Sequence, residues 1–463
     1  MNTESVLARI DADFEASLSR LFDLVKIPSI STDPAFSGEV RRAAEWCRAE
    51  LAAIGFEASV RPTPGHPMVV AHWTGKVERE GPHVLFYGHY DVQPVDPLSL
   101  WETPPFEPRI AEKPDGTRMI VGRGAADDKG QLLTFLEAAR ATVAETGALP
   151  CRVTVLLEGE EESGSPSLAG FLDANRAELA RDLALVCDTN MWNPSTPAIT
   201  ATLRGLVGEE VVVQCADRDL HSGLFGGPAA NPIRILARIL AGLHDDAGRV
   251  TLPGFYDGVA DLPADVAAQW NALGLTAESF LGPVGLSTPA GEKGRSVLEQ
   301  VWARPTCEFN GIVGGYTGEG FKTVLPARAS AKVSFRLVVG QDPARIRDGF
   351  RAYVRSCLPP DAKVEFHPHG GSPGLALSFD SPALARAREA LTAEWGKPAV
   401  LIGGGGSIPV VGNFKRQLGM ESLMIGFGLD DDRIHSPNEK YDVTSYHKGI
   451  RSWARVLDSL ARA

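Results

Sequence analysis

The sequence predicts an α/β protein built on a mostly parallel sheet, with a smaller α+β domain inserted into it. Three observations predict this. Short runs that are apolar on both faces alternate with helical patterns through the first 204 residues, as expected for a parallel sheet covered by helices on both sides. After Arg204 the strand candidates lengthen, and one of them, 331–339, partly alternates, as expected for a half-covered sheet. From about Leu384 the first pattern returns. The expected division is therefore residues 1–204 and 374–463 in one domain, with residues 205–373 inserted between them.

Taken in order, Val6, Leu7, Ile10, Phe14, Leu18, Leu21 and Val25 recur mostly at helical spacing and predict one amphipathic stripe. A second helix is expected over 39–54, stopped by Gly55. Strands follow at 68–73 and 84–87, a helix after Lys129, and buried strands at 153–157 and 183–187. In the insertion, strands are expected at 207–215 and 331–339 and helices at 232–243 and 343–357. Beyond it come strands at 399–402 and 423–426 and a final helix from Ser445.

Composition limits the partners. With 44% hydrophobic and 22% charged residues the chain has material for a large core and is not broadly disordered. The 46 Lys and Arg against 58 Asp and Glu leave a formal charge of −12, with no basic surplus to neutralise nucleic-acid phosphates or an anionic membrane. No apolar run is long enough to span a bilayer. The start, Met1-Asn2-Thr3-Glu4-Ser5, has neither the basic end nor the apolar core of a secretory leader. Six scattered cysteines without a CxxC pair read as free thiols, and a cytoplasmic protein is expected.

Chemistry concentrates in a few polar segments. Gly88-His89-Tyr90-Asp91-Val92 leaves an apolar strand at its carboxyl end, where α/β sheets place ligands. There Asp91 could fix the tautomer of a metal-binding His89, or the two could form a purely structural hydrogen bond. In Gly122-Arg123-Gly124-Ala125-Ala126-Asp127-Asp128-Lys129-Gly130, glycines bracket two carboxylates that could bind a metal or cap the next helix. Glu158-Gly159-Glu160-Glu161-Glu162 leaves a buried strand directly, so some of its carboxylates should enter a cleft, one to bind metal and another to move protons. Asp188 ends another strand, and His435 lies in the polar segment from Asp430 to Glu439. Mixed imidazole and carboxylate donors suit zinc, with manganese or cobalt as alternatives. A bridging carboxylate with one His and one further carboxylate on each side would hold two ions about 3.5–4 Å apart.

Together these blocks resemble the co-catalytic di-zinc exopeptidase family, which includes carnosinase-type dipeptidases, acetylornithine deacetylase, succinyl-diaminopimelate desuccinylase and G-type glutamate carboxypeptidases. The resemblance runs from Val84 to Tyr441. The dipeptidase branch is the best match, through Gly88-His89-Tyr90-Asp91-Val92-Gln93-Pro94, Glu161-Glu162-Ser163-Gly164-Ser165 and His435-Ser436-Pro437-Asn438-Glu439. It implies a catalytic domain carrying two divalent ions and an inserted domain serving as lid and dimerisation module. It implies Asp127 as the bridge, His89 and Asp188 on one ion, and Glu162 and His435 on the other. Glu161 would be the general base, Asp91 the orienter of His89, and Asp127-Asp128 a cis peptide.

In the insertion, Asp219-Leu220-His221-Ser222-Gly223 is similar to the segment whose His reaches a partner subunit's site in dimeric relatives. Arg336, Thr323, His369 and Ser407 match positions that contact substrate. The implied reaction is hydrolysis of the amide bond of a dipeptide, or a similarly small peptide with a free C-terminal carboxylate, by a homodimer, with His221 stabilising the oxyanion. An N-acyl amino acid deacylase or carbamoyl hydrolase is the alternative on the same scaffold. One departure stands out: Gly403-Gly404 occupies the place where dipeptidase relatives often carry Arg-Glu.

Overall fold

The computed structural model describes residues 2–406 and 408–462. Two compact units emerge: one comprises Met1–Ala201, Leu377–Ile402 and Pro409–Ala463, the other Thr202–Ala376 and Gly403–Ile408. The expected α/β class is observed in the first. Its sheet runs, in spatial order, Glu57–Arg61, Met68–His72, Val153–Glu158, Val84–His89, Leu183–Val186, Glu421–Met424 and Ala198–Leu203. The four strands from Val153–Glu158 to Glu421–Met424 are mutually parallel. The six residues of Val84–His89 and of Val153–Glu158 are all buried, which is why these strands read as continuous apolar runs.

Aromatic packing fixes the helices on this sheet. Phe86 on its strand stacks on Phe135 of the helix Lys129–Thr146 at 3.8 Å between centroids, and Trp453 of the helix Val443–Leu460 meets both rings edge-on. The buried Lys129 ammonium donates to the carbonyls of Leu24 and Ile27. It thereby satisfies acceptors at the C-terminal end of the helix Phe14–Val25. The single stripe expected over residues 6–25 is instead two helices, Thr3–Ala12 and Phe14–Val25, with Asp13 at φ −95° and ψ 6° between them. The helix Ser37–Ile54 ends at Gly55, whose φ of +115° excludes most side chains.

The second unit is α+β. Its antiparallel sheet runs Thr306–Gly314, Arg328–Leu337, Gly205–Gln214, Lys363–Ser372. Gly205–Gln214 alternates strictly between buried and half-buried residues. Its buried side joins Val333, Phe335, Leu236, Leu240, Ile346 and Phe350 in one core. The helices Pro232–Ala241 and Pro343–Ser356 that supply the last four both begin with proline, after side-chain caps from Asn231 and Asp342. Among the described residues no helix is long and apolar enough to cross a membrane.

Candidate metal centre

The parallel strands deliver the polar segments to one edge of the sheet. His89 is the last residue of Val84–His89, Glu161 and Glu162 begin a short turn after Val153–Glu158, and Asp188 lies just beyond Leu183–Val186. His435 lies in the loop after Glu421–Met424, and Asp127 lies two residues before the helix Lys129–Thr146. Close approach needs glycine at two points. A Cβ on Gly88 would lie 2.8 Å from Asp128 Oδ2, and one on Gly159 would lie 2.4 Å from the Tyr90 hydroxyl.

Five of the expected metal-binding residues meet in two overlapping groups. His89, Asp127 and Asp188 form one, Asp127, Glu162 and His435 the other, and in each the donor atoms all lie within 4.8 Å of one another. Asp127 is common to both. Its Oδ1 is 3.1 Å from His89 Nε2 and its Oδ2 is 2.9 Å from His435 Nε2. Glu162 Oε2 lies 3.1 Å from the same His435 nitrogen, and Asp188 Oδ2 lies 3.9 Å from His89 Nε2.

The acidic run divides its labour. Glu160 is buried and accepts from the main-chain N–H of His66 and Ser167, while Glu158 accepts from the Tyr87 hydroxyl. Only Glu161 and Glu162 remain for the centre. Asp91 places them: its two carboxylate oxygens accept from Glu161 N at 3.3 Å and Glu162 N at 3.0 Å. His89 Nδ1 lies 3.1 Å from the Asp91 main-chain carbonyl and 3.4 Å from Oδ1, so its ring is steered by both. Asp128 stands at the helix N-cap position yet makes no cap with its side chain. It accepts instead from His89 N and from the Cys187 thiol, and the Asp127-Asp128 peptide is cis.

The electrostatics have two causes, burial and a surplus of carboxylate. Burial would lower the His89 imidazole, but Asp127 and Asp91 more than offset it and hold it well above its usual value. Asp127 and Glu162 raise His435 to about 10. Burial, then Asp127 and Asp128, push Asp188 well up. Burial likewise lifts Glu161 to about 7, with Asp91, Glu162 and Asp127 adding to it and His89 opposing. Imidazoles shifted upward among buried carboxylates mark a place short of positive charge. Two divalent cations would supply that charge, and the imidazole and carboxylate donors are those that zinc accepts.

The other expected residues lie in the second unit. Arg336 pairs with Leu206 across one edge of Gly205–Gln214 and His369 with Gly208 across the other, so both stand on the face turned away from the core. His221 pairs with Val324, next to Thr323, and its Nδ1 accepts from Gly223 N, which leaves Nε2 to carry the ring proton. Ser407 lies outside the described residues. Sequence reasoning missed two residues around the metal centre. Gln93 donates from Nε2 to Glu162 Oε2 at 2.8 Å, and Glu439 binds the loop that carries Asp127. Both lie inside quoted motifs, but their contacts run to distant segments and leave no spacing to detect.

Comparison with known proteins identifies the family. The model of peptidase family M20/M25/M40 matches residues 85–459. The Cys-Gly metallodipeptidase of Candida albicans is 29% identical over 96% of this chain and 95% of its own length. The human Beta-Ala-His dipeptidase is 30% identical over 82% of this chain and 75% of its own. The crystal structure of an M20 family metallo-carboxypeptidase from Sulfolobus solfataricus superposes with a TM-score of 0.80 at 29% identity, covering 96% of this chain and 99% of that one. The chain belongs to peptidase family M20/M25/M40, on its dipeptidase branch, and is a metal-dependent peptidase.

Proposed function

We propose that the protein hydrolyses the amide bond of dipeptides, or similarly small peptides with a free C-terminal carboxylate, at a centre of two divalent ions. The observation that carries this reading is the pair of ligand groups sharing Asp127, with Glu161 beside them and in neither. His89 and Asp188 would hold one ion, Glu162 and His435 the other, and Asp127 both. Zinc suits this donor set, and manganese or cobalt could replace it. When bound, the ions would make a water more acidic and polarise the scissile carbonyl.

The chain's own residues do the rest. Asp91 fixes the main chain of Glu161 and Glu162, and so the direction of both carboxylates. Glu161, beside both ligand groups and a member of neither, takes a proton from the attacking water at its carboxylate and returns it to the leaving nitrogen. Arg336, Thr323, His369 and Ser407 hold the substrate, with the Arg336 guanidinium gripping the terminal carboxylate. His221, with Nε2 as donor, stabilises the oxyanion.

The second unit serves as lid and dimerisation module. Its edge strand Thr306–Gly314 exposes Ile312 and Val313, and Leu224 and Phe321 are exposed elsewhere in the unit. An apolar, unpaired edge is what a second copy would cover. Six free cysteines accord with a cytoplasmic location. The likeness to a metallo-carboxypeptidase favours a second reading, in which longer peptides also lose their C-terminal residue. One experiment separates these readings: the metal-loaded protein is given dipeptides, longer peptides and N-acyl amino acids, and the products are identified by mass. Two free amino acids from dipeptides alone support the first reading, shortened long peptides the second, and release only from N-acyl amino acids overturns both.

A further inference from the structure

The loop that presents His435 is costly to hold. Arg433, His435 and Asn438 all take left-handed backbone conformations, with φ of +56°, +60° and +61°, which asparagine adopts readily but arginine only where its surroundings impose it. Two of its anchors are plain. Asn438 donates to Leu100 O and accepts from Glu102 N, and the Lys440 ammonium lies within 3.0 Å of Asp431, Asp432 and Asp442 carboxylates.

The third anchor is Glu439, whose side chain is fully buried. Its Oε1 accepts from the main-chain N–H of Ala126 at 2.9 Å and of Asp127 at 3.1 Å. Its Oε2 accepts from Gly124 N at 3.0 Å and from Arg123 Nη1 at 2.8 Å. Its own carbonyl accepts from Gly122 N. Four donors therefore converge on one carboxylate, three of them consecutive or near-consecutive amides of the segment that ends in Asp127. Arg123 extends the network by donating to Pro94 O.

We infer that Glu439 is a positioning residue for the metal centre, binding the segment that presents Asp127 to the loop that presents His435 before any ion arrives. The inference rests on the two-ion reading above. A buried carboxylate takes these four donors without strain because it offers acceptor positions on both oxygens and no hydrogen of its own. A glutamine would turn an NH2 group towards two of them. Ligands set in register in advance bind an ion without the cost of ordering the loops.

The test has one arm on the wild type and one on variants. In metal-free wild-type protein the amide hydrogens of Gly124, Ala126 and Asp127 should exchange slowly, and metal loading should change them little. Fast exchange that slows only on loading would mean that the ions order the segment, and would overturn the inference. Glu439→Gln should fold, with exchange in the strand Val153–Glu158 unchanged, yet bind both ions about 10–100-fold more weakly in competition with a chelator. Glu439→Asp should recover part of that loss. Should Glu439→Gln not fold, Arg123→Lys should weaken ion binding in the same direction by less. Wild-type ion affinity in whichever of these variants folds overturns the inference alone. A wild-type protein that takes up no ions overturns the two-ion reading, and this one with it.

Discussion

Glu161 and Glu162 are adjacent in the chain, and only Glu162 has a carboxylate oxygen within reach of His435 Nε2, at 3.1 Å. Their main-chain amides end on the same Asp91 carboxylate, and the two side chains are proposed to do different work. Glu161→Gln should therefore keep both ions and lose most turnover, on the order of 10²-fold or more, because a neutral amide accepts no proton from water. Glu162→Gln should lose one ion, and Asp127→Asn both. Elemental analysis of the three purified variants beside their kcat checks this. Metal loss in Glu161→Gln equal to that in Glu162→Gln would refute the division.

The core beneath the centre should matter to it as well. The ring stack of Phe86 on Phe135 joins the strand that ends in His89 to the helix that follows Asp127 and Asp128. Phe135→Ala should destabilise the first unit by about 3–5 kcal/mol, the usual cost of removing a buried aromatic ring from a packed core. Amide hydrogen exchange in the strand Val84–His89, followed across a denaturant series, reports that unit without the mixed signal of the chain's eight tryptophans. Ion affinity should fall along with stability, since the same ring sets the spacing of the two ligand segments.

Away from the centre, His83 makes stability depend on pH. Burial, then Arg181 and Arg152, lower its imidazole from 6.5 to about 4. The unfolded chain then binds a proton that the folded chain refuses between those values. Stability contributed by a neutral His83 is complete above pH 6.5, falls as pH drops through the window, and falls no further below about 4. His83→Gln should remove this sensitivity. The Tm difference between variant and wild type should open below pH 6.5 and level off near pH 4. A difference constant across that range would contradict the assignment.

Much of the fold was legible because the strands Val84–His89, Val153–Glu158 and Leu183–Val186 are buried on both faces and so spell themselves in apolar residues. The strands Thr306–Gly314 and Lys363–Ser372 were not legible. Both are sheet edges with largely exposed side chains, and the second contains Pro368, which an edge tolerates. The break at Asp13 escaped because the apolar stripe continues across it. At the site, the donor residues stood out as motifs at strand ends. The split between Glu158 and Glu160 as braces and Glu161 and Glu162 as the pair left at the candidate centre did not, since it depends on partners such as Tyr87 and His66, distant in sequence.

Assembly is open to a direct measurement. If the exposed Ile312 and Val313 edge pairs with a second copy, as proposed, the protein should run at twice its chain mass. Ile312→Lys with Val313→Glu should then yield a monomer that still binds two ions. If His221 acts on the partner subunit's site, that monomer should be nearly inactive on dipeptides. A monomeric wild type fully active at high dilution would count against both the dimer and the action across it.

Arg336 supports the most specific expectation about substrate. It stands on the open face of its sheet, level with Leu206, while His369 lies opposite Gly208 on the far side of the same strand. A guanidinium there can take a carboxylate through two parallel hydrogen bonds, stronger than neutral ones and fixed in direction. If Arg336 holds the substrate as proposed, such a grip would act as a ruler, favouring substrates of one length. Dipeptides should therefore be cleaved well, and their C-terminal amides at least about 10-fold more slowly in kcat/KM, a loss consistent with one charge-assisted hydrogen bond. Arg336→Lys should show the same loss on the free acid, since an ammonium keeps the charge but not the planar fork. On the amide, where the fork has nothing to grip, the variant and the wild type should differ little. Equal kcat/KM for a dipeptide and its amide in the wild type would mean that no such ruler operates, and would turn the reading towards longer peptides.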